Sequence, residues 1–245
     1  ARFFNMLHTM YQHLAMCDSV DLMPAANGVV RPMYAHRTRE LRLKHRANIY
    51  NGAKFFLVKK NYASALPFLE DFYKYRQDDG EPHIGRVVLW ATQCCFLTKQ
   101  HLGTLRYVDK AIEMSEFEIR PILQEYKVET YKALQKDSLW LQALHYGVTL
   151  YPWHNYFFVH LVDYYSERKD IGAGSALCAK QLKLFPDSAM FWFAKSKFAQ
   201  INFDYKRCIE YADSALVRDP NHVDAHYTRA VAYLNLALDF KDTMC

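Results

Sequence analysis

The sequence predicts an all-α protein built from repeated pairs of helices. Three prolines, Pro152, Pro186 and Pro220, are equally spaced along the chain. Only 8 glycines and 8 prolines occur in 245 residues, and alternation of β-branched residues is sparse, which disfavours a many-turned β-sandwich or a glycine-rich nucleotide site. Because 51% of the residues are hydrophobic and 16% are aromatic, the chain has enough apolar surface to offset the entropy lost on folding.

Each of the three prolines closes a similar phrase, at residues 148–152, 182–186 and 216–220. Proline lacks the backbone donor of a helix and restricts the residue before it, so each proline marks the end of one helix and a fresh start. The segment from one proline to the next, about 34 residues, therefore holds two helices. Such a unit cannot bury its apolar face alone and relies on its neighbours.

This period and phrase resemble the tetratricopeptide repeat (TPR), most closely between residues 187 and 220. With Ala189 as the first position of a unit, Trp192 occupies the large fourth position. Cys208 and Ala215 occupy the small twentieth and twenty-seventh positions, and Pro220 is the thirty-second. The resemblance implies a right-handed α–α superhelix, a TPR-like solenoid. Three residues depart from the family's pattern, namely Lys195, Ser196 and Ala199.

Weaker units precede this one, and the resemblance covers residues 46–240. Residues 49–56 resemble the family's first helix, and residues 60–66 its turn and the start of its second helix. Residues 107–113 have the apolar spacing of a second helix. Trp140 stands where a small residue is usual, whereas Gly174 fits the small twentieth position and predicts close helix packing.

The region before the array is predicted to contain a helix over residues 1–17, a loop over 18–33 and a lead-in helix. We therefore divide the chain into residues 1–45 and residues 46–245, the latter holding about five helix pairs and the start of another. Five cations in residues 37–46 form either a solvated helix face, which we favour, or a nucleic-acid contact. These cations are Arg37, Arg39, Arg42, Lys44 and Arg46.

No motif for catalysis or metal binding stands out. His222 and His226 lie one helical turn apart, but Val223 stands where a zincin has its glutamate, so two ordinary histidines are favoured over a metal site. The six cysteines form no CxxC pair, and the adjacent Cys94 and Cys95 are interpreted as small core residues. No run of about 18 apolar residues occurs, so no transmembrane segment is predicted.

In the TPR family, the first helices of successive repeats line a concave groove, and the second, fifth, ninth and twelfth positions face the ligand; the first three of these positions supply the candidate site. The alternative is that some of these side chains pack against neighbouring helices. The family's carboxylate-binding pattern of Lys and Asn at the fifth and ninth positions is missing, since Glu125 and Glu129 hold them in one unit. Carrying the groove positions over gives Tyr156, Val159, Asp163, Met190, Phe193, Lys197, Asp224, Tyr227 and Val231.

We therefore expect a non-catalytic scaffold that binds a protein or peptide on its concave face and carries no cofactor. An alternative is an accessory repeat domain of a longer enzyme or signalling protein whose active part lies outside this chain. The net charge of +5 is modest and not gathered on one repeated position, so nucleic-acid binding is not expected. The start at Ala1 suggests a trimmed leader, and residues 50–69 resemble bacterial cell-envelope repeat proteins, which favours the periplasm or cell envelope over the cytoplasm.

Overall fold

The computed structural model describes residues 1–24, 28–30, 32–76 and 81–243, with side chains up to residue 239. These residues form twelve α-helices and no strand. No helix among them is long and apolar enough to cross a bilayer. The helices are α1 (Arg2–Asp21), α2 (Ala35–Val58), α3 (Tyr62–Lys74), α4 (Ile84–Leu97), α5 (His101–Met114), α6 (Arg120–Ala133), α7 (Asp137–Leu150), α8 (Asn155–Glu167), α9 (Ile171–Leu184), α10 (Ala189–Ile201), α11 (Tyr205–Arg218) and α12 (Val223–Thr243).

The chain forms two compact units, Ala1–Trp140 and Leu141–Cys245. In the first unit, Tyr11 of α1 is buried and its hydroxyl donates to the carbonyl of Arg42 in α2 (2.7 Å). Helix α1 runs four residues past its predicted end, so the prediction of a loop from residue 18 is wrong for residues 18–21. At the end of this helix the Asp21 carboxylate accepts hydrogen bonds from the backbone N–H groups of Met33 and Tyr34 (both 2.8 Å), which lower its pKa and tie the end of α1 to the start of α2.

Helix α2 continues without interruption through residues 45 and 46, so the lead-in segment and the first helix of the first pair are one helix. Its buried side includes Ile49, Ala53 and Phe56. Gly52 lies so close to the next helix that a Cβ there would be 2.8 Å from the ring of Phe68. The absence of a side chain at this position lets α2 and α3 approach each other.

The same turn joins the two helices in each of five successive pairs of the described chain. In each turn one residue has left-handed backbone, and the N–H of the next residue donates to the carbonyl five residues before it (2.8–3.0 Å). This is the Schellman arrangement that ends many helices. The last three turns have the same spacing as the three prolines, so the period extends upstream of Pro152. The left-handed residues are Lys60, Lys99, Gln135, Lys169 and Phe203.

In the unit Leu141–Cys245, a glycine in α9 determines how closely α10, the first helix of the next pair, can approach. A Cβ on Gly174 would lie 2.1 Å from Cζ of Phe198, a fully buried ring of α10. The prediction of close packing at this small position is confirmed. Cys208 and Ala215, the predicted small positions of α11, are also fully buried. These contacts place α10 between α9 and α11.

Candidate functional site

Three helices that each begin a pair lie side by side in the unit Leu141–Cys245. Helix α10 contacts α8 on one side and α12 on the other. The second helices, α9 and α11, pack between successive first helices, so α9 contacts both α8 and α10, and α11 contacts both α10 and α12. The second, fifth and ninth positions of α8, α10 and α12 therefore follow one another from helix to helix.

One ion pair joins equivalent positions of two successive units. Nζ of Lys197 in α10 lies 3.2 Å from Oδ1 of Asp163 in α8. Both are ninth positions, and they are separated by 34 residues. Since a side chain reaches only a few ångströms, this contact aligns α8 and α10 in the register that the period predicts. The pair is partly exposed, so its contribution to stability is small.

The nine residues predicted for the groove all keep part of their surface exposed. The exposed fraction is 70% for Tyr227 and 42% for Val159, and Asp163 and Asp224 are also exposed. The remaining five are half-buried. These five are Tyr156, Met190, Phe193, Lys197 and Val231.

Two of the aromatic groove residues also contact other side chains of the repeat to which they belong. The ring of Phe193 lies 4.8 Å from the ring of His222 and packs on a small buried cluster that includes Ala215. The ring of Tyr156 lies 4.4 Å from that of His160. Phe193 therefore packs in part against a neighbouring helix, which is the alternative that the sequence left open for the groove positions. Tyr227, by contrast, presents most of its ring to solvent.

The two histidines singled out for metal binding contact backbone atoms. Nε2 of His226 lies 2.9 Å from the carbonyl oxygen of Pro220, and Nδ1 of His222 accepts from the N–H of Ala225 (3.3 Å). Trp192 makes the equivalent contact one unit earlier, because its Nε1 donates to the carbonyl of Pro186 (2.9 Å). His226 thus occupies the fourth position of its unit as Trp192 does. Among the described residues, no three His, Cys, Asp or Glu side chains converge as potential metal ligands.

The described cysteines have no disulfide, and the buried ones are poor nucleophiles. Burial raises the pKa of Cys94 and of Cys178 to about 12, and that of Cys95 and of Cys208 to about 11. Since the thiolate is the reactive form, these thiols are inert near neutral pH. The interpretation of Cys94 and Cys95 as core residues is confirmed by their complete burial.

The basic segment of α2 differs from the sequence interpretation. A solvated face is wrong for Arg42 and Arg46, although Arg37, Arg39 and Lys44 are exposed. The guanidinium of Arg42 lies 4.1 Å from the ring centre of Tyr75, and that of Arg46 lies 3.7 Å from the ring centre of Phe72. Arg42 is paired with Asp18 (2.5 Å) and Arg46 with Glu81.

A signal for this burial is present in the sequence. Arg42 and Arg46 share the helical stripe of Ile49, Ala53 and Phe56, at spacings of three and four residues. The same stripe is the buried side of α2. Position on the stripe therefore separates the buried Arg42 and the half-buried Arg46 from their exposed neighbours.

Several solved structures of TPR proteins match most of the chain. The TPR protein YrrB, described as having an unusual peptide-binding site, matches at 13% identity over 80% of this chain and 97% of that protein, with a TM-score of 0.51. This chain has the TPR fold. The C-terminal part of a TPR protein from Cytophaga hutchinsonii matches at 14% identity over 76% of this chain and 71% of that one (TM-score 0.55). A TPR protein from Parabacteroides merdae matches at 11% identity over 82% and 77% (TM-score 0.53).

The predicted fold class, an all-α TPR-like solenoid, is confirmed by these structures. No protein-family model and no curated protein matches the chain. The likeness is therefore one of fold.

Proposed function

We propose that this chain is a non-catalytic TPR scaffold that binds a protein or peptide along α8, α10 and α12. The observation that carries the proposal is the exposed aromatic and aliphatic surface at equivalent positions of these three helices. Tyr227 is 70% exposed and Val159 is 42% exposed, while Tyr156 and Phe193 are half-buried. Apolar side chains that are at least partly exposed at the fifth position of each helix are suited to anchor a partner, because aromatic residues that become buried in an interface dominate its energy.

The charges of this surface favour a partner with mixed polarity. Asp163 and Lys197 neutralise each other across α8 and α10, and Asp224 adds one exposed carboxylate on α12. The surface thus has no run of cations that would follow a nucleic-acid backbone, so RNA binding is not part of the proposal. The peptide-binding site named for YrrB, a protein of the same fold, supports a peptide as the partner class.

A triple substitution to alanine of Tyr156, Phe193 and Tyr227 tests the surface. Truncation of interface hot spots costs about 2 kcal/mol or more, so the dissociation constant should rise by at least about 30-fold. The partner is first identified by placing a photo-crosslinking amino acid at Val159 or Tyr227 in cells that make the native protein. The affinity of the purified partner is then measured by calorimetry for each variant.

The chain provides a matched control for this experiment. Leu184, Phe203 and Val217 are at least as exposed as Val159 but lie outside α8, α10 and α12. Their triple substitution to alanine should leave the affinity unchanged. Tyr227→Ala alone serves if the first triple variant loses helicity by circular dichroism, because Tyr227 is mostly exposed. Equal affinities of the two triple variants would refute the assignment of this surface.

The absence of catalysis and the cellular location are part of the same proposal. We infer a bacterial protein of the periplasm or cell envelope, on the sequence resemblance of residues 50–69. Cell fractionation of the native protein, with determination of its N-terminal residue, measures the location directly. Recovery in the cytoplasm with an intact initiator methionine would contradict it.

A further inference from the structure

A surface cavity of about 530 Å³ lies beside the second half of α1 and is bordered by Tyr34, the residue before α2. It belongs entirely to the unit Ala1–Trp140, and none of its lining residues is part of the surface proposed above. Three residues of the lining carry nitrogen or sulfur donors within about one turn of α1, namely His13, Met16 and Cys17. Five of the eight methionines of the chain occur in residues 1–33, so soft sulfur donors are concentrated in this region.

The spacing of these three residues suits the binding of a shared ion. Residues three and four apart lie on one side of a helix, with their Cβ atoms about 5–6 Å apart. His13 and Cys17 have the i, i+4 spacing of the two histidines in the helical zinc motif of metalloproteases, and Met16 follows His13 by three residues. Because all three side chains line the same cavity, an ion in this cavity is within reach of all three.

The three side chains are accessible from solvent. Met16 is 63% exposed, His13 is exposed and Cys17 is half-buried. Cys17 is a free thiol, and it differs in this exposure from the other described cysteines, which are all buried. Asp21 also lines the cavity, but its carboxylate already accepts two backbone hydrogen bonds. The available ligands are therefore one thiol, one imidazole and one thioether.

This set of ligands selects the class of metal. Thiolate and thioether sulfur atoms are soft ligands that favour Cu⁺, whereas Zn²⁺ is bound by cysteine, histidine and carboxylate side chains and not by methionine. In the described part of the chain, no third side chain of the zinc-binding types joins His13 and Cys17. The thiolate of Cys17 carries one negative charge, which neutralises the single positive charge of Cu⁺ without a carboxylate. A monovalent soft cation therefore fits these ligands better than a divalent one.

We propose that His13, Met16 and Cys17 form a binding site for Cu⁺. The metal replaces the proton of the Cys17 thiol, so that a Cu–S bond forms, the proton passes to solvent and no electron is transferred. Sδ of Met16 and one ring nitrogen of His13 complete a three-coordinate site. The site is independent of the surface on α8, α10 and α12, because the two share no residue.

The test titrates the full chain with Cu⁺ under anaerobic conditions, with ascorbate as reductant and bicinchoninate as the competing chromophoric chelator. All samples carry Cys245→Ser, which removes a competing thiol outside the described residues. Loss of an outer-shell contact of a metal site costs about 10- to 100-fold in affinity, so Met16→Leu and His13→Gln should each cost about tenfold or more, and Cys17→Ser about 100-fold or more. Met6→Leu is the matched control, since Met6 is a 65% exposed methionine of the same helix outside the cavity.

X-ray absorption at the copper edge reports the ligands directly. We expect two sulfur neighbours and one nitrogen neighbour of Cu⁺ in the parent chain, and one sulfur fewer in Met16→Leu. The proposal is overturned if the chain does not bind Cu⁺, or if an equal concentration of Zn²⁺ displaces it. It is also overturned if Met16→Leu and His13→Gln leave the affinity unchanged, because Cys17 would then act as a lone thiol, or if Met6→Leu weakens binding as much as Met16→Leu does. Circular dichroism of each variant verifies that the fold is kept.

Discussion

Replacement of Gly174 by alanine is expected to destabilise the protein, although alanine is the better helix former. A Cβ at this position would lie 2.1 Å from Cζ and 2.2 Å from Cε1 of Phe198. Carbon atoms in contact are about 3.5–4.0 Å apart, so the overlap is roughly 1.4 Å. The Phe198 ring is fully buried and cannot turn out into solvent, so α9 and α10 must separate.

The magnitude follows from two opposing terms. Overpacking of a well-packed core costs about 1–3 kcal/mol. The replacement of glycine by alanine inside a helix returns about 1 kcal/mol. The difference of these terms is about 0–2 kcal/mol, and the large overlap favours its upper end, so the free energy of unfolding should fall by up to about 2 kcal/mol, measured as a lower urea midpoint by circular dichroism.

Gly172 provides the control in the same helix. A Cβ there meets only Oδ1 of Asp170, at 3.8 Å, so Gly172→Ala should be neutral or stabilising by up to about 1 kcal/mol. The double variant Gly174→Ala with Phe198→Leu should lose less than the sum of the two single variants, because the smaller side chain makes room for the methyl group. If Gly174→Ala and Gly172→Ala shift the midpoint equally, the close approach of α9 and α10 is refuted.

Three further predictions concern single residues. Lys169→Gly should stabilise the protein by about 0.5–1 kcal/mol in urea unfolding, because the strain energy removed from the left-handed residue exceeds the extra entropy cost of ordering a glycine. A loss of stability would contradict the turn geometry. Ala215→Leu should cost about 1–3 kcal/mol in the same assay, since Ala215 is fully buried where a small side chain is required, and a neutral effect would mean that the register is wrong. Burial, and secondarily the charge of Lys180, lowers the pKa of His145 below 6.5. As the pH drops from 7 through 6.5, this histidine is protonated in the unfolded chain before it is protonated in the folded protein, so the free energy of unfolding falls. His145→Gln should reduce this loss in unfolding midpoints compared at pH 8 and pH 5.5, and an unchanged slope would exclude His145 as its source.

The last third of the fold could be predicted from the sequence because its units have equal length. The connections before α10 and α12, residues 185–188 and 219–222, both contain four residues, and proline marks each of them. The connection between α3 and α4, residues 75–83, contains nine, so the left-handed turns at Lys60 and Lys99 lie farther apart than those at Lys169 and Phe203. The spacing of the sequence therefore does not reveal the repeat in this region, although its paired helices and the turn that joins them are the same as in the later repeats.

The positions that form the candidate surface could be predicted from the sequence. The burial of each side chain at these positions could not. The period alone places Asp163 and Lys197 at equivalent positions, and their ion pair follows. The burial of Phe193 beside His222 depends on how one helix crosses another, which the spacing does not determine. The ion pairs of Arg42 and Arg46 could not be predicted, because Asp18 lies 24 residues from Arg42 and Glu81 lies 35 residues from Arg46.

The uniform turn between paired helices bears on how an array of this kind changes length. Lys169 and Phe203 are both left-handed, and Asp170 and Asp204, which follow them, each cap the next helix by accepting a backbone hydrogen bond (3.0 and 3.1 Å). Loss of residues 170–203 would join Lys169 to Asp204 and recreate the same turn with the same cap. Duplication of this segment would do likewise. Gene segments of one period can thus be gained or lost without a new junction having to evolve.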